Sequence, residues 1–490
     1  MVMRLAGTGT EPLTLPPVPA EPDRPRRIWA LALAAILLLA ATVQRACWAI
    51  AHDAHLDSAC GTWVALADDL LHGTFYRPVE SHLGFGGTRY FPLHFVLHAG
   101  LMRAGMGPLA SGYLLATVSG LLLLAGLATA LRALGLDWRA AAAVAALALA
   151  TLGMQRSIST IRGDLLPAAL SVCGVAAVLA SRRRPRLIWP AAALLVLAFS
   201  AKATTVFGPA AAVAWLWIGG RRHEAMNLGI ASLAGAVAVL VVVDALSAGR
   251  FHQNMLACAS GGGGWAYALG APVRLLKAAT DDPASLLFAA LAVVALAAGG
   301  RMALRSLPAL LLFATAAVAL LIFASPGAYY NHLIDLHIAA ILALGMWLTQ
   351  QPRAGAILAV STLAAMAFMF GEARAPEPHG RALRAVAAAI DRGPILSEDP
   401  MVPVLAGQRP VVLDPFMLRV MGRRQPDLRA RFLQSLADRK FSAVILLGDV
   451  ASERFDTAYF GPGFADALAT HYQHVLTAGT YRIFRARPPP

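Results

Sequence analysis

Two carboxylates and three cations stand at the edges of apolar blocks, where a charge is costly unless it is used or paired. Asp57 follows the first such block in AHDAHLDSACGTWVALADDLLHG, and Asp164 precedes a later one in RSISTIRGDLLPAAL. Arg156 and Arg162 flank Asp164, and Lys202 separates two apolar runs in FSAKATTVFG. A carboxylate so placed can take a proton from a hydroxyl, and cations so placed can hold a phosphate. The bland readings are a solvated loop carboxylate for Asp57, a helix cap for Asp164 and snorkelling side chains for the cations. Three such cations together favour an anionic ligand, with the anion supplied either by the two acids or by a phosphate. Glu80, His52, His55, His82, His94 and His98 add acid–base or metal-capable groups, but no HExxH spacing occurs. A divalent metal cofactor is left open, and most of these histidines read as interfacial side chains.

The elements that position these residues are membrane-spanning helices. The 490 residues are 58% hydrophobic and 14% charged, with a mean hydropathy of +0.62, against about 45–50% and about 25% in soluble domains. The excess falls in blocks long enough to cross a hydrocarbon core, where only helices satisfy their own backbone. About eleven spans are predicted: 28–50, 108–131, 139–155, 163–181, 187–200, 203–218, 225–248, 284–300, 306–324, 331–348 and 353–370. The stretch 187–218 reads either as two spans or as one re-entrant pair. The first block is longer than a signal-peptide core and more spans follow, which reads as an uncleaved anchor.

Orientation follows from the basic clusters. Arg24, Arg26 and Arg27, Arg132 and Arg139, Arg182, Arg183, Arg184 and Arg186, Arg221 and Arg222, Arg301 and Arg305, and Arg353 fall in alternate connections, which marks the cytoplasmic side of a cell membrane. The formal net charge of +14 thus reads as a topology signal facing lipid headgroups, not as a nucleic-acid surface. The opposite, exoplasmic face receives 51–107, 156–162, 201–202, 249–283, 325–330 and the chain from 371 onward. Within the long first loop, 92–103 and 62–72 read as helices lying at the membrane surface. Cys60 and Cys258 share this oxidising face, so a disulfide between them is a hypothesis; Cys47 and Cys173 read as packing residues.

From about residue 380 the composition becomes that of a soluble protein. Helices are predicted at 381–391, 427–440 and 463–472, and strands at 394–398, 410–414, 442–448 and 481–485. The fold class is therefore mainly α, a polytopic membrane protein with a small C-terminal α/β soluble domain. Residues 1–27 read as a disordered cytoplasmic tail, 28–371 as the transmembrane module and 372–490 as an exoplasmic α/β domain.

The first loop resembles the GT-C superfamily of integral membrane glycosyltransferases, especially protein O-mannosyltransferases and the aminoarabinose transferase of lipid A. The matching pieces are the acid after the first span, ALADDLLHGTFYRP, RYFPLHFVLHAGLMRAG, IRGDLLPAALSVCGVAAVLASRRR and FSAKATTVFGPAAAVAWLW. They cover residues 28–220; the later spans match by hydropathy alone. The resemblance implies inverting transfer of a sugar from a polyprenyl-phosphate donor to a glycan, lipid or protein acceptor. It implies Asp57 as the base, with Asp53 as substitute because Asp57-Ser58 stands where relatives often carry Asp-Glu. It implies Asp164 as the second acid and Lys202, Arg156 and Arg162 as phosphate holders; Glu80, Arg89 and Tyr90 read as further substrate-binding residues. A transporter or flippase of a lipid-linked or anionic solute is the alternative, and a non-catalytic assembly subunit a third reading. Asp335, with His337, is the exception to spans nearly free of mid-membrane charge. Asn331 and Asp335 read as interhelical hydrogen-bonding groups in preference to donor-cavity residues.

Overall fold

A computed structural model describes residues 24–371, 379–449 and 452–488. Most of the tail reading for 1–27 lies outside them; residues 24–27 are helical, as the first turn of α1 (Arg24–Ala51). The chain continues through α2 (Ser58–Leu71), α3 (Pro92–Arg103), α4 (Pro108–Ala133), α5 (Trp138–Ala146), α6 (Leu152–Ile158), α7 (Leu165–Ala180), α8 (Ile188–Ala201), α9 (Phe207–Ile218) and α10 (Arg222–Leu246). Apolar side chains cover even the outer faces of this bundle: Leu233 and Leu246 on α10 are 68% and 69% exposed. A helix apolar all round belongs in lipid.

Among the described residues four helices are long and apolar enough to cross a membrane: Trp29–Ala51, Pro108–Ala133, Arg222–Leu246 and Tyr330–Gln350. Two further pairs pass the same test but are sharply bent, and five apolar helices are shorter. The predicted 139–155 span is one of the bent pairs, turning by 92° between Ala150 and Leu152. The cause is local. Thr151 is extended and caps the N–H of Met154, while the carboxylate of Asp282 accepts from Leu152 N and Gly153 N. Asp282 itself stands at the other bend, between Ala271–Asp281 and Pro283–Ala298. The stretch 187–218 resolves into two short helices, Pro185–Ala201 and Ala203–Ile218.

The first loop is folded, as its aromatic content requires. Asp53 adopts a left-handed conformation (φ 50°) that turns the chain out of α1, a backbone state an aspartate tolerates. α2 and α3 pack together, and a minimal hairpin of β1 (Glu80–Ser81) and β2 (Gly84–Phe85) lies between them in sequence.

Past residue 379 the fold changes. β3 (Ile395–Ser397) pairs parallel with β4 (Ala443–Leu447), and β5 (Tyr472–Ala478) with β6 (Tyr481–Ala486) completes a sheet of order β3-β4-β6-β5. Helices Pro426–Ala437 and Phe464–His471 carry Phe432, Phe464 and Leu468 into its core. Strand β5 escaped the sequence reading because its interior side chains are exposed. The predicted strand at 410–414 reduces to a single bridge, Val412 to Phe85, with Leu413 N donating to Phe85 O and Phe85 N to Val411 O. This segment serves the first loop and not the sheet.

Charged pairs join the two parts. Arg384 donates to Asp53, Arg431 to Glu80, and Arg77 and Arg409 converge on Asp69 of α2, which is 2% exposed. Arg77, 1% exposed, also donates to Pro410 O at 2.6 Å. Cys60 and Cys258 are both free and buried, which corrects the disulfide hypothesis. Cys60 faces Thr160, whereas Cys258 lies in the core of Phe85, Val412 and Met421. Because a buried carboxylate deprived of its main partner is expensive, Arg77→Met is expected to cost about 3–5 kcal/mol. Thermal unfolding in detergent should show a large loss for Arg77→Met and a small one for Arg431→Met, whose ion pair is exposed.

Candidate functional site

Asp57, Arg162, Asp164 and Lys202 stand at breaks between helices. Asp57 is the N-cap of α2: its Oδ1 accepts the Cys60 N–H at 3.0 Å and the Cys60 thiol at 3.2 Å. Its Oδ2 meets Arg162, from the link between α6 and α7. Thr160, in the same link, touches Cys60 Sγ at 3.0 Å and donates to His55 O at 2.7 Å. Asp57 is therefore a helix cap and one half of an ion pair, not the solvated loop carboxylate of the bland reading. Its side chain is 44% exposed, so the carboxylate stays open on one side.

Asp164 begins α7 but caps no backbone N–H. Instead Oδ1 accepts Lys202 Nζ at 2.9 Å and Oδ2 accepts Asn331 Nδ2 at 3.1 Å. Lys202 is extended (φ −160°, ψ 116°) and breaks α8 from α9. These side chains are only 12% and 19% exposed. The two ion pairs share one field. Arg162 is attracted by Asp164 as well as by Asp57, and Lys202 by Asp335 as well as by Asp164.

The electrostatics follow. Burial works to raise the Asp57 carboxyl, but Arg162 and the Cys60 hydrogen bonds hold it below its usual range. Asp164 is likewise raised by burial and pulled well below the carboxylate range by Lys202. Both are thus ionised at neutral pH. The buried Cys60 thiol, beside the Asp57 charge, is pushed up to about 12 and stays protonated. Burial drives the α3 histidines His94 and His98 down to about 3 and about 4, so both are neutral packing groups.

Tyr90 stacks on Trp63 with ring centroids 4.2 Å apart, within the fields of Asp414, Arg89, Arg162 and Asp164. Arg89 donates to Ser325 Oγ at 3.3 Å and to Pro326 O at 3.4 Å. Arg156, exposed on α6, donates to the Tyr330 hydroxyl and lies 5.4 Å from its ring centroid. The structure thus gathers Asp57, Asp164, Lys202, Arg162, Arg89 and Tyr90, with Arg156 joined through Tyr330. Glu80 lies instead on β1 and is held by Arg431. Asp53, the substitute base, is 2% exposed and occupied by the Tyr113 hydroxyl and Arg384. Asn331 makes the hydrogen bond expected of it, but its partner is a site acid.

Two features escaped the sequence reading. Arg45, inside the first apolar block, lies near Arg156; a charge in a span was the available signal. The other is a hollow of about 300 Å³ between α8, α9 and α10, lined by Leu195, Phe199, Val206, Val213 and Leu233. Phe199, Thr205 and Val206 bring its lining to the Lys202 break. Among the described residues no group of three or more His, Cys, Asp or Glu gathers to hold a metal ion. Asp57 and Asp164 are each engaged by a cation, so no step is assigned to a metal.

The C-terminal part reaches this region. Asp399 feels the Asp57 charge, accepts the Tyr481 hydroxyl at 2.8 Å and packs on Gly61 of α2, where a Cβ would lie 2.3 Å from its Oδ1. Burial pushes Asp399 and its neighbour Glu398 up to about 7, outweighing Arg454 in the case of Glu398. The folded protein therefore holds these protons more tightly than the unfolded chain. Their stabilisation is complete below about pH 4 and is lost as pH rises to about 7. Asp399→Asn is expected to flatten this decline in melting temperature between pH 5 and pH 7.5; an unchanged slope would contradict the assignment.

No protein-family model matches the sequence, and no curated protein matches it either. Solved structures do. Over 93% of this chain and 99% of the other, the fold matches the aminoarabinose transferase ArnT from Cupriavidus metallidurans bound to undecaprenyl phosphate (TM-score 0.57, 13% identity). It also matches the oligosaccharyltransferase of Archaeoglobus fulgidus in the apo form over 91% of this chain and 73% of that one (TM-score 0.52, 11% identity). The Archaeoglobus fulgidus enzyme AglB in complex with an inhibitory peptide and a dolichol-phosphate matches over 95% and 74% (TM-score 0.50, 12% identity). These neighbours are GT-C superfamily membrane glycosyltransferases, so the resemblance read in the first loop holds at the level of the fold.

Proposed function

We propose that this protein transfers a sugar, with inversion, from a polyprenyl-phosphate donor to an acceptor hydroxyl at the exoplasmic membrane face. The observation that carries this reading is the convergence of Asp57–Arg162 and Asp164–Lys202 beside an apolar hollow. An isoprenoid tail would lie in the hollow between α8, α9 and α10, placing its phosphate at the Lys202 break. Asp57, ionised and half open, takes the proton of the acceptor hydroxyl. The acceptor oxygen then bonds to the anomeric carbon as the bond from that carbon to the phosphate oxygen breaks. Charge develops on the departing polyprenyl phosphate, where cations fixed beforehand by Asp57 and Asp164 stabilise it most effectively. Asp164 positions Lys202, and Tyr90 with Arg89 flanks the donor.

The long helices, bent pairs and short apolar helices together support the eleven-segment topology, with the N-terminus cytoplasmic. The described residues from 379 onward then belong to an exoplasmic α/β domain that braces the first loop through Asp53, Asp69 and Glu80. The alternative, a transporter or flippase, would gather ionisable groups at mid-span with inverted repeats of broken helices around them. Membrane lipids and a glycan, lipid or protein acceptor are the partners. Asp57→Asn is expected to leave the protein folded in detergent and to reduce transfer about 10²–10⁴-fold. Full activity in that variant removes Asp57 as the base. Lys202→Ala should raise the KM for the lipid donor more than that for the acceptor, as separate titrations of the two substrates would show.

A further inference from the structure

The cations around the site differ in what holds them. Arg162 is paired with Asp57, Lys202 with Asp164, and Arg89 lies in the field of Asp414. Arg45 and Arg156 form no ion pair among the described residues. Arg45 comes from the last turns of α1 and Arg156 from α6, and they stand close enough for their charges to repel. Arg45 Nη1 is buried without a hydrogen-bond partner. Arg156 has only the neutral Tyr330 hydroxyl and ring. His55, beside them, bonds Ser159 Oγ at 2.6 Å and is driven down to about 4 by burial and by both guanidiniums, so it supplies no counter-charge but a neutral ring.

Two neighbouring guanidiniums, one of them with a buried donor unsatisfied, repel each other and favour an anion beside them. Guanidinium forks match the oxygens of a phosphate. We propose that Arg45 and Arg156 form a phosphate seat, distinct from the Lys202 break, in which Tyr330 orients Arg156 and neutral His55 lines the wall. The apolar hollow is lined by α8, α9 and α10, whereas this seat is built on α1 and α6. The phosphate is that of an acceptor which itself carries one, or else that of the lipid donor held here in place of the Lys202 break. The inference rests on the transferase reading only for that source, and not for the seat.

The test uses the full chain in phosphatidylcholine nanodiscs, with inorganic phosphate and undecaprenyl phosphate as probes and chloride at equal ionic strength as control. Phosphate should raise the melting temperature of the wild type beyond chloride. Arg45→Gln and Arg156→Gln should each weaken that binding about tenfold or more, while Arg45→Lys, which keeps charge but loses the fork, falls between. Competition between the two probes assigns the seat to the donor phosphate; simultaneous binding assigns it to a phosphorylated acceptor. No phosphate response in the wild type, or undiminished response in both glutamine variants, overturns the seat. Where a variant fails to fold, NMR titration of His55 in the wild type decides: phosphate should raise its titration point, and an unmoved value counts against the proposal. Asp57→Asn should keep the phosphate response, so loss of transfer and loss of the seat are read separately.

Discussion

Two ion pairs, Arg162 with Asp57 and Lys202 with Asp164, bind three helix breaks to one another, with Arg162 and Asp164 both in the link between α6 and α7. Each of these residues sits where a helix starts or stops beside an apolar bundle, a position in which a lone charge is expensive and a paired one is tolerated. The pairing therefore fixes how the breaks converge, and their convergence makes the site. Because both acids are held ionised and both cations held in place, the site is organised before any ligand arrives. Preorganised charge of this kind stabilises a transition state without reorganising at the moment of reaction.

The same economy explains the first loop. Its two helices and small hairpin cannot bury enough surface by themselves, and they are pinned to the C-terminal part through Asp53, Asp69 and Glu80. Asp69 illustrates the cost: buried in α2, it needs two arginines, one from its own loop and one from beyond residue 400. The segment 410–414 gives its backbone to Phe85 and its carbonyl at Leu413 to Thr62, so the C-terminal part forms one wall of the region where Asp57 lies. Loop, sheet and site are mechanically one unit.

Much of this was legible in the residues. Apolar blocks marked the helices, and the charges at their edges marked Asp57, Asp164 and Lys202, because both signals are local. What was not legible depends on the third dimension. The sharp bend after Ala150 needs Asp282, some 130 residues away, to hold two backbone amides. Cys60 looked like a disulfide partner until its neighbours proved to be Asp57 and Thr160. Glu80 looked like a site acid until Arg431 claimed it. Arg45 was visible as a charge inside a span, yet only the fold sets it against Arg156. Strand β5, with its exposed interior, has no periodicity that a sequence could reveal.

The most direct measurement of the central claim is an experimental map of the protein in a nanodisc with undecaprenyl phosphate bound. Phosphate density within hydrogen-bonding distance of the cations gathered around Asp57 and Asp164, with the isoprenoid tail entering between α8, α9 and α10, is the expected result. Asp57 and Asp164 on separate surfaces, or a lipid phosphate bound away from all of these cations, would contradict it.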